Sequence, residues 1–239
     1  MNRVMILQAM MILVLSSKIL SRKTQAPKTP PSFRFTFGSC FRDRKFFVEG
    51  GSDIFLPLKS LSPDVFVWLG DFAYLDIFKG ISFRHDFNSE EEMRRRFDES
   101  FYDKNYTKFR ESGVKIFGVW DDHDSGINDS GKHNKVKELV RQIFLDYFDV
   151  PKNSTRRTQP DGMYGSYYVD EKKYVKLILL DVRYSADDYF IAKEGGEKCN
   201  LGEKQKEWLR REVEESTARY TIIGSGDQIL PDDRYNERF

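Results

Sequence analysis

An α/β fold is predicted for this chain, and three observations predict it. Short apolar runs without polar interruption, Val65–Leu69 above all, suit strands buried on both faces. Segments of helical period and mixed polarity lie between such runs. Cys40, Asp71, Asp121 and Asp181 each stand at or just beyond the C-terminal end of an expected strand. In layered α/β folds, ligand-binding loops converge at strand ends.

The 239 residues suffice for one large domain or two small ones. With 39% hydrophobic and 32% charged residues the chain is globular in composition. A net charge of +1 argues against broad electrostatic binding to nucleic acid or an anionic membrane surface. No nucleic-acid-binding module is expected, and any phosphate chemistry must come from a local site.

Residues 1–20 read as a secretory signal. Arg3 supplies the positive start, Val4–Leu15 is apolar apart from Gln8, and Ser16 and Ser17 offer small residues for cleavage. The run is short for a membrane span. Lys18-Ile19-Leu20 interrupts the cleavage pattern, so an uncleaved N-terminal anchor is the alternative. Sequons at Asn105, Asn128 and Asn153 fit a secretory route, and secretion or residence in its lumen is the expected location. For a secreted protein with two cysteines, Cys40 and Cys199, one disulfide is the default, although their contexts differ.

Residues 21–32, with Pro27, Pro30 and Pro31, read as a linker, and residues 33–239 as the domain. Phe33–Phe37 alternates like a strand and stops at Gly38. Asp53–Leu61 suggests a helix with Ser52 as a candidate cap, and Val65–Leu69 is the next strand. Ser89–Arg110 carries Met93, Phe97, Phe101, Tyr106 and Phe109 at helical spacing, one or two surface helices. Val114–Val119 is strand-like, and Lys135–Phe148 is an amphipathic helix ended by Pro151. Tyr164–Asp181 reads as a hairpin turning at Asp170–Lys173. Asn200–Glu203 resembles a capping box opening a helix to about Ser216. Tyr220–Ile223 forms a last strand, closed by Gly224-Ser225-Gly226.

The densest chemistry is Trp120-Asp121-Asp122-His123-Asp124, three carboxylates and an imidazole in four consecutive positions after a strand. Such groups repel unless neutralised, and a bound cation is one remedy; a solvated acidic turn is the other reading. With three histidines in the chain (His85, His123 and His133), a histidine-rich dizinc site is excluded. Carboxylate and phenol oxygens suit Ca²⁺, Mg²⁺, Mn²⁺ or Fe³⁺, whereas a thiolate favours a transition metal. A mixed site follows: Cys40, Asp71 and Tyr74 around a ferric ion, and Asp71 with the Asp121-Asp122 pair around a harder divalent ion. Two metals about 3.5–4 Å apart across a carboxylate are the usual arrangement for phosphoester hydrolysis. His123, flanked by acids, suits a general acid, with a supporting or ligand role as the alternative. Arg42 and Arg183, each two residues past a candidate ligand, suit bidentate phosphate contacts if they are not ordinary surface arginines. No Gly-x-x-x-x-Gly-Lys-Ser/Thr loop or Gly-x-Ser-x-Gly elbow is present, and Lys132 at the twelfth position rules out an EF-hand from Asp121.

Phe37-Gly38-Ser39-Cys40, Leu69–Tyr74, Trp120–Asp124 with Asn128-Asp129, Leu180–Arg183, Leu201–Gln205 with Trp208-Leu209, and Gly224–Gly226 together resemble alkaline phosphatase D, the PhoD-like family of the calcineurin-like metallophosphatases. The resemblance spans residues 33–239 and implies a four-layer α/β/β/α sandwich. It implies hydrolysis of small-molecule phosphomonoesters or diesters at an Fe³⁺ and Ca²⁺ centre, with Mn²⁺, Mg²⁺ or Zn²⁺ as alternatives. Cys40, Asp71, Tyr74, Asp121 and Asp122 would hold metal, and Asp122-His123-Asp124 would stand in for the Asn-His-Asp/Glu signature, making Asp122 and His123 catalytic. A metal-bound hydroxide would attack phosphorus in line, with no covalent intermediate. Family members continue to a Gly-Asp-Val-His segment that this sequence lacks. The expectation is a fragment whose sandwich misses its C-terminal part; the alternative is a remnant that binds metal or phosphate without turnover.

Overall fold

The computed structural model describes residues 3–7, 33–41, 54–78, 81–82, 89–187 and 199–228. It is a mixed α/β structure with two main sheets. The first has the order β2-β3-β6, formed by β2 (Phe35–Gly38), β3 (Val65–Leu69) and β6 (Lys115–Val119), all parallel. The second has the order β1-β9-β8-β7, formed by β1 (Arg3–Leu7), β9 (Tyr220–Gly224), β8 (Val175–Leu179) and β7 (Gly165–Tyr168). Here β7 is antiparallel to β8, the expected hairpin, and the other pairings are parallel. A small hairpin joins β4 (Ile77–Phe78) to β5 (Ile81–Ser82).

The period-2 geometry of β3 explains its unbroken apolar sequence. Val65, Val67 and Leu69 point one way, to Val169, Leu177, Leu179 and Ile222 of the second sheet's segments. Phe66 and Trp68 point the other way, into a cluster with Phe55, Met93, Phe97, Phe109 and Phe144. That cluster is supplied by α1 (Phe55–Ser60), α2 (Glu90–Phe101), α3 (Lys104–Arg110) and α5 (Lys137–Tyr147). Likewise β8 sends Ile178, with Leu180 beyond it, toward Trp208, Leu209 and Val213 of α6 (Glu203–Glu214). Each fully buried large aliphatic or aromatic side chain contributes about 1.5–3 kcal/mol by leaving water.

Local chemistry sets the helix ends. Ser89 accepts from the Glu92 amide and starts α2. Asp103 accepts from the Asn105 and Tyr106 amides and starts α3, which divides the charged stretch into two helices. The capping box expected before α6 is absent: Gly202, at φ 71°, is the N-cap, without a side-chain hydrogen bond to the helix. Asn200 sits too far back, because the turn through Gly202 requires a left-handed residue immediately before Glu203.

Arg156 closes the exposed margin of β6. Its buried guanidinium donates to the Gly118 carbonyl (2.9 Å) and the Met163 carbonyl (2.6 Å), tying this edge to the hairpin's approach.

The expected disulfide is not formed; Cys40 and Cys199 are both free thiols. Cys40 lies 3.6 Å from the Asp71 carboxylate, while Cys199 accepts from the Gly202 amide on another loop. Of the expected signal, residues 3–7 pair in register with β9, from Arg3↔Tyr220 to Leu7↔Gly224. Cleavage near Ser16-Ser17 would remove that strand and leave β9 as the sheet's edge. The rest of residues 1–20, the 21–32 linker, Ser52 and His85 lie outside the described residues. No helix among the described residues is long and apolar enough to cross a membrane.

Two outcomes test this packing. A Cβ at Gly118 would collide with the ring of Phe148, so Gly118→Ala is expected to lower stability by about 1–3 kcal/mol in urea unfolding. Asp146 receives Lys152 (2.5 Å), Arg157 (2.9 Å) and Arg94 (3.2 Å). Burial alone would raise its carboxyl, but these three cations hold it below the ordinary aspartate value. With the folded value depressed, its contribution is complete above the unfolded value and is lost as pH falls through the folded one. Asp146→Asn should therefore narrow the stability difference from wild type as unfolding is measured at progressively lower pH in the acid range.

Candidate metal centre

Parallel pairing of β2, β3 and β6 delivers their C-terminal ends side by side, so Cys40, Asp71 and Asp121 arrive at one margin of the sheet. The loops are tied there: the Cys40 amide donates to the Gly70 carbonyl (3.3 Å) and the Phe41 amide to the Asp71 carbonyl (2.7 Å). Gly70, Asp71 and Cys40 all have left-handed backbones, with φ of 85°, 53° and 59°. Asp71 and Cys40 have no glycine's freedom, so local strain is concentrated at the candidate ligands. A side chain at Gly70 would come within 2.5 Å of the Asp121 Cβ, which fixes glycine at that turn.

Asp71 is 8% exposed and sits at the centre. Its Oδ2 accepts from the Tyr74 hydroxyl (3.1 Å) and the Cys40 thiol (3.6 Å). Its Oδ1 is buried with no hydrogen-bond partner. Candidate ligand atoms of Asp71, Asp122 and His123 lie within 4.8 Å of one another. A buried carboxylate oxygen without a donor is expensive, and a cation satisfies it. The Cys40 thiol and Tyr74 phenol lie against Asp71 Oδ2, so a thiol, a phenol and a carboxylate, donors suited to a transition ion, meet at this residue, although the converging ligand atoms are those of Asp71, Asp122 and His123.

The three acids after Trp120 part ways. Asp122 opens the short helix α4 (Asp122–Ser125), accepts from the Asp129 amide (2.8 Å), and faces the centre. Asp124 accepts from the Ala73 amide (2.7 Å) and the Asp121 amide (3.0 Å), which makes it a brace between two loops. Asp121 is ion-paired to Arg183, whose Nη2 also reaches Asp227 (2.7 Å) and stands 3.9 Å from Asp122. Arg183, expected to face a phosphate, is thus engaged by carboxylates. Arg42 lies outside the described residues.

Asp181, grouped with the candidate ligands by its strand-end position, is a structural hub. It accepts from the Trp120 indole (2.8 Å), the Met163 amide (2.8 Å), the Arg183 amide (3.0 Å) and the Tyr184 amide (2.9 Å). With four N–H donors already on it, this carboxylate is occupied.

Two participants carry little signal in the sequence. Asp76 is fully buried and meets His123 Nδ1 at 2.7 Å. Its one mark is an acid in the loop that already holds Asp71 and Tyr74. Asp227 follows the terminal Gly-Ser-Gly, and only the fold brings it to Arg183. The Tyr74 ring packs on the imidazole at 4.5 Å between centroids, so hydroxyl and ring serve different neighbours.

The electrostatics follow from crowding. Burial, then the charge of Asp121, pushes Asp71 up to about 7, with His123 opposing. Burial raises the Asp121 carboxyl although Arg183 opposes it. Burial would also raise Asp122, but Arg183, His123 and backbone amides outweigh it and hold the carboxyl low. Burial would lower His123, yet the hydrogen bond to Asp76 and the charges of Asp122 and Asp71 push it up to about 9. Packing of the sulfur raises the Cys40 thiol, in keeping with its role as donor to Asp71. The centre thus gathers carboxylates around one guanidinium and one imidazole. It can bind a cation at Asp71 and offer a proton from His123.

Comparison with curated protein sequences gives no match. A solved structure described as "Structure of PhoD" is similar in fold, with a TM-score of 0.56 and 18% identity, covering 82% of this chain and 41% of that one. The chain thus spans less than half the length of that structure. A family model described as PhoD-like phosphatase matches residues 35–235, and with nearly every described element inside that span, the chain belongs to the PhoD-like phosphatase family.

Proposed function

We propose that this protein is a metal-dependent phosphoester hydrolase acting on small-molecule substrates at the Asp71 centre. The observation that carries this reading is the buried, unpartnered Oδ1 of Asp71 within a group that also contains Asp122 and His123. Cys40, Asp71 and Tyr74 would hold a ferric or similar transition ion, for which thiol, carboxylate and phenol donors are suited. Such a cation supplies positive charge that acidifies an attacking water and neutralises phosphoryl oxygens. The calcium ion implied beside it by the resemblance would need Asp121 as well, and Oδ1 of Asp121 is ion-paired to Arg183.

The chain's own residues account for the leaving group. Asp76 fixes the imidazole through Nδ1 and the Tyr74 ring restricts its rotation, which leaves Nε2 to act. The hydrogen bond to Asp76 and the neighbouring carboxylates favour the protonated imidazole. Water attacks phosphorus in line, the bond from phosphorus to the ester oxygen breaks, and His123 gives its proton to that oxygen.

The apolar packing supports the four-layer α/β/β/α arrangement: helices on β3's outer face, sheet against sheet, then α6. The N-terminal apolar run and the three sequons support a secretory route.

Two measurements test this function. Asp71→Asn is expected to lose aryl phosphate hydrolysis by at least about 100-fold and to lose bound metal, with a thermal midpoint close to that of metal-free wild type. Full activity in that variant would sink the mechanism. His123→Asn should cost about 10²–10⁴-fold on an alkyl phosphate, whose leaving oxygen needs a proton, and much less on p-nitrophenyl phosphate. Equal losses on both substrates would remove His123 from the proton-donor role.

A further inference from the structure

The Arg183 guanidinium is built into the centre from three sides. Nε pairs with Asp121, Nη2 pairs with Asp227 at 2.7 Å, and Asp122 stands 3.9 Å away. Its side chain is 12% exposed. The backbone that carries it is fixed from below, because the Arg183 and Tyr184 amides both donate to Asp181.

Asp121 has no freedom to leave this pair. A Cβ at Gly70 would approach its Cβ to 2.5 Å, and one at Gly226 would approach its Cβ and Cγ to 3.1 Å. Asp121 is therefore held between a loop after β3 and a loop after β9, both stripped of side chains where they touch it. Its amide is fixed as well, on the Asp124 carboxylate. A metal ion drawing on Asp121 Oδ1 would have to displace the guanidinium and strand a buried, permanently charged group, at a cost greater than that of leaving the pair intact.

The ligand group reflects this division. Asp71, Asp122 and His123 converge without Asp121, although Asp121 is next to Asp122 in the chain. We propose that the Arg183 guanidinium stands where a second metal ion would otherwise sit, so that the centre holds one cation, at Asp71. Arg183 then supplies fixed positive charge beside that cation. The carboxylates of Asp121 and Asp227 form a latent, all-oxygen cation site that Arg183 keeps closed. Oxygen donors alone select a hard ion, so the latent site suits Ca²⁺.

This inference rests on the metal-dependent reading, and metal stoichiometry separates the two. The full chain, produced with iron and calcium present and then desalted, should contain one equivalent of metal by plasma mass spectrometry. Arg183→Met should bind a second equivalent, as Ca²⁺, and its thermal midpoint should rise with added Ca²⁺ while that of wild type does not. Arg183→Lys, which keeps the charge, should remain at one equivalent. Two equivalents in wild type would overturn the single-cation proposal and leave the metal-dependent reading standing. None in wild type would overturn both. If Arg183→Met does not fold, wild-type stoichiometry decides the matter alone.

Discussion

The Asp181 carboxylate is the constraint on which the rest of the centre depends. It lies just past β8, yet one of its oxygens takes the indole N–H of Trp120, just past β6 in the other sheet. The two sheets are thereby joined by a charge-assisted hydrogen bond at their C-terminal ends. The same carboxylate fixes the Met163, Arg183 and Tyr184 amides. One buried anion thus sets the distance between Asp121, next to Trp120, and Arg183, two residues from Asp181. Glycines complete the approach: a Cβ at Gly162 would meet the Asp181 carboxylate at 3.0 Å. Sheet packing through Val67, Leu69, Leu177 and Leu179 supplies the driving force for the sheets to meet. Hydrophobic contact is non-directional, and Asp181 gives the meeting its register.

On that frame the chain assembles what a folded protein ordinarily avoids. Asp71 and Cys40 hold left-handed backbones, Asp71 keeps an unpartnered buried oxygen, and like charges crowd together. Strain, an orphaned acceptor and a displaced pKa coincide on one residue, and structural optimisation alone does not produce that combination. Neighbouring acids show the contrast. Asp124 and Asp181 are buried too, but each is supplied with N–H donors, so they stabilise loops and offer nothing to a ligand.

This contrast also explains what was legible in the sequence. Strand β3 was legible because two buried faces demand an apolar residue at every position, a pattern written in five consecutive letters. Asp71 and Cys40 were legible because strand ends are marked by glycine and by the end of apolar runs. Asp181 carries the same marks and was grouped with them, since nothing local reveals that an indole 61 residues away will fill it. Arg183 is marked in the sequence only by its place two residues past Asp181, and its carboxylate partners come from separate segments that nothing local points to. Asp76 was passed over for the same reason: its role depends on His123, 47 residues on. The Cys40–Cys199 disulfide, the default for a secreted chain with two cysteines, is not formed, because the two thiols occupy different loops, the difference of context visible in the sequence. Local periodicity was readable, whereas partners brought together by topology were not.

The positions after strands β3, β6 and β8 are thus chemically equivalent in sequence, each an aspartate at a strand end, and the fold assigns them three different tasks. What decides the task is the group that arrives opposite: the thiol and phenol at Asp71, the guanidinium at Asp121, the indole and three amides at Asp181. Donors that are themselves fixed, as the indole and backbone amides are, turn a carboxylate into structure. A guanidinium turns it into a fixed ion pair, and only a carboxylate left with an unfilled oxygen keeps its affinity for a cation. By that criterion the reactive centre is narrower than its acidic sequence suggests. Asp71 Oδ1 is one such oxygen, and Oδ2 of Asp76, beside His123, is another. In the proposed phosphoryl transfer, where charge stabilisation dominates, fixed protein cations would share with one metal ion the work otherwise done by two.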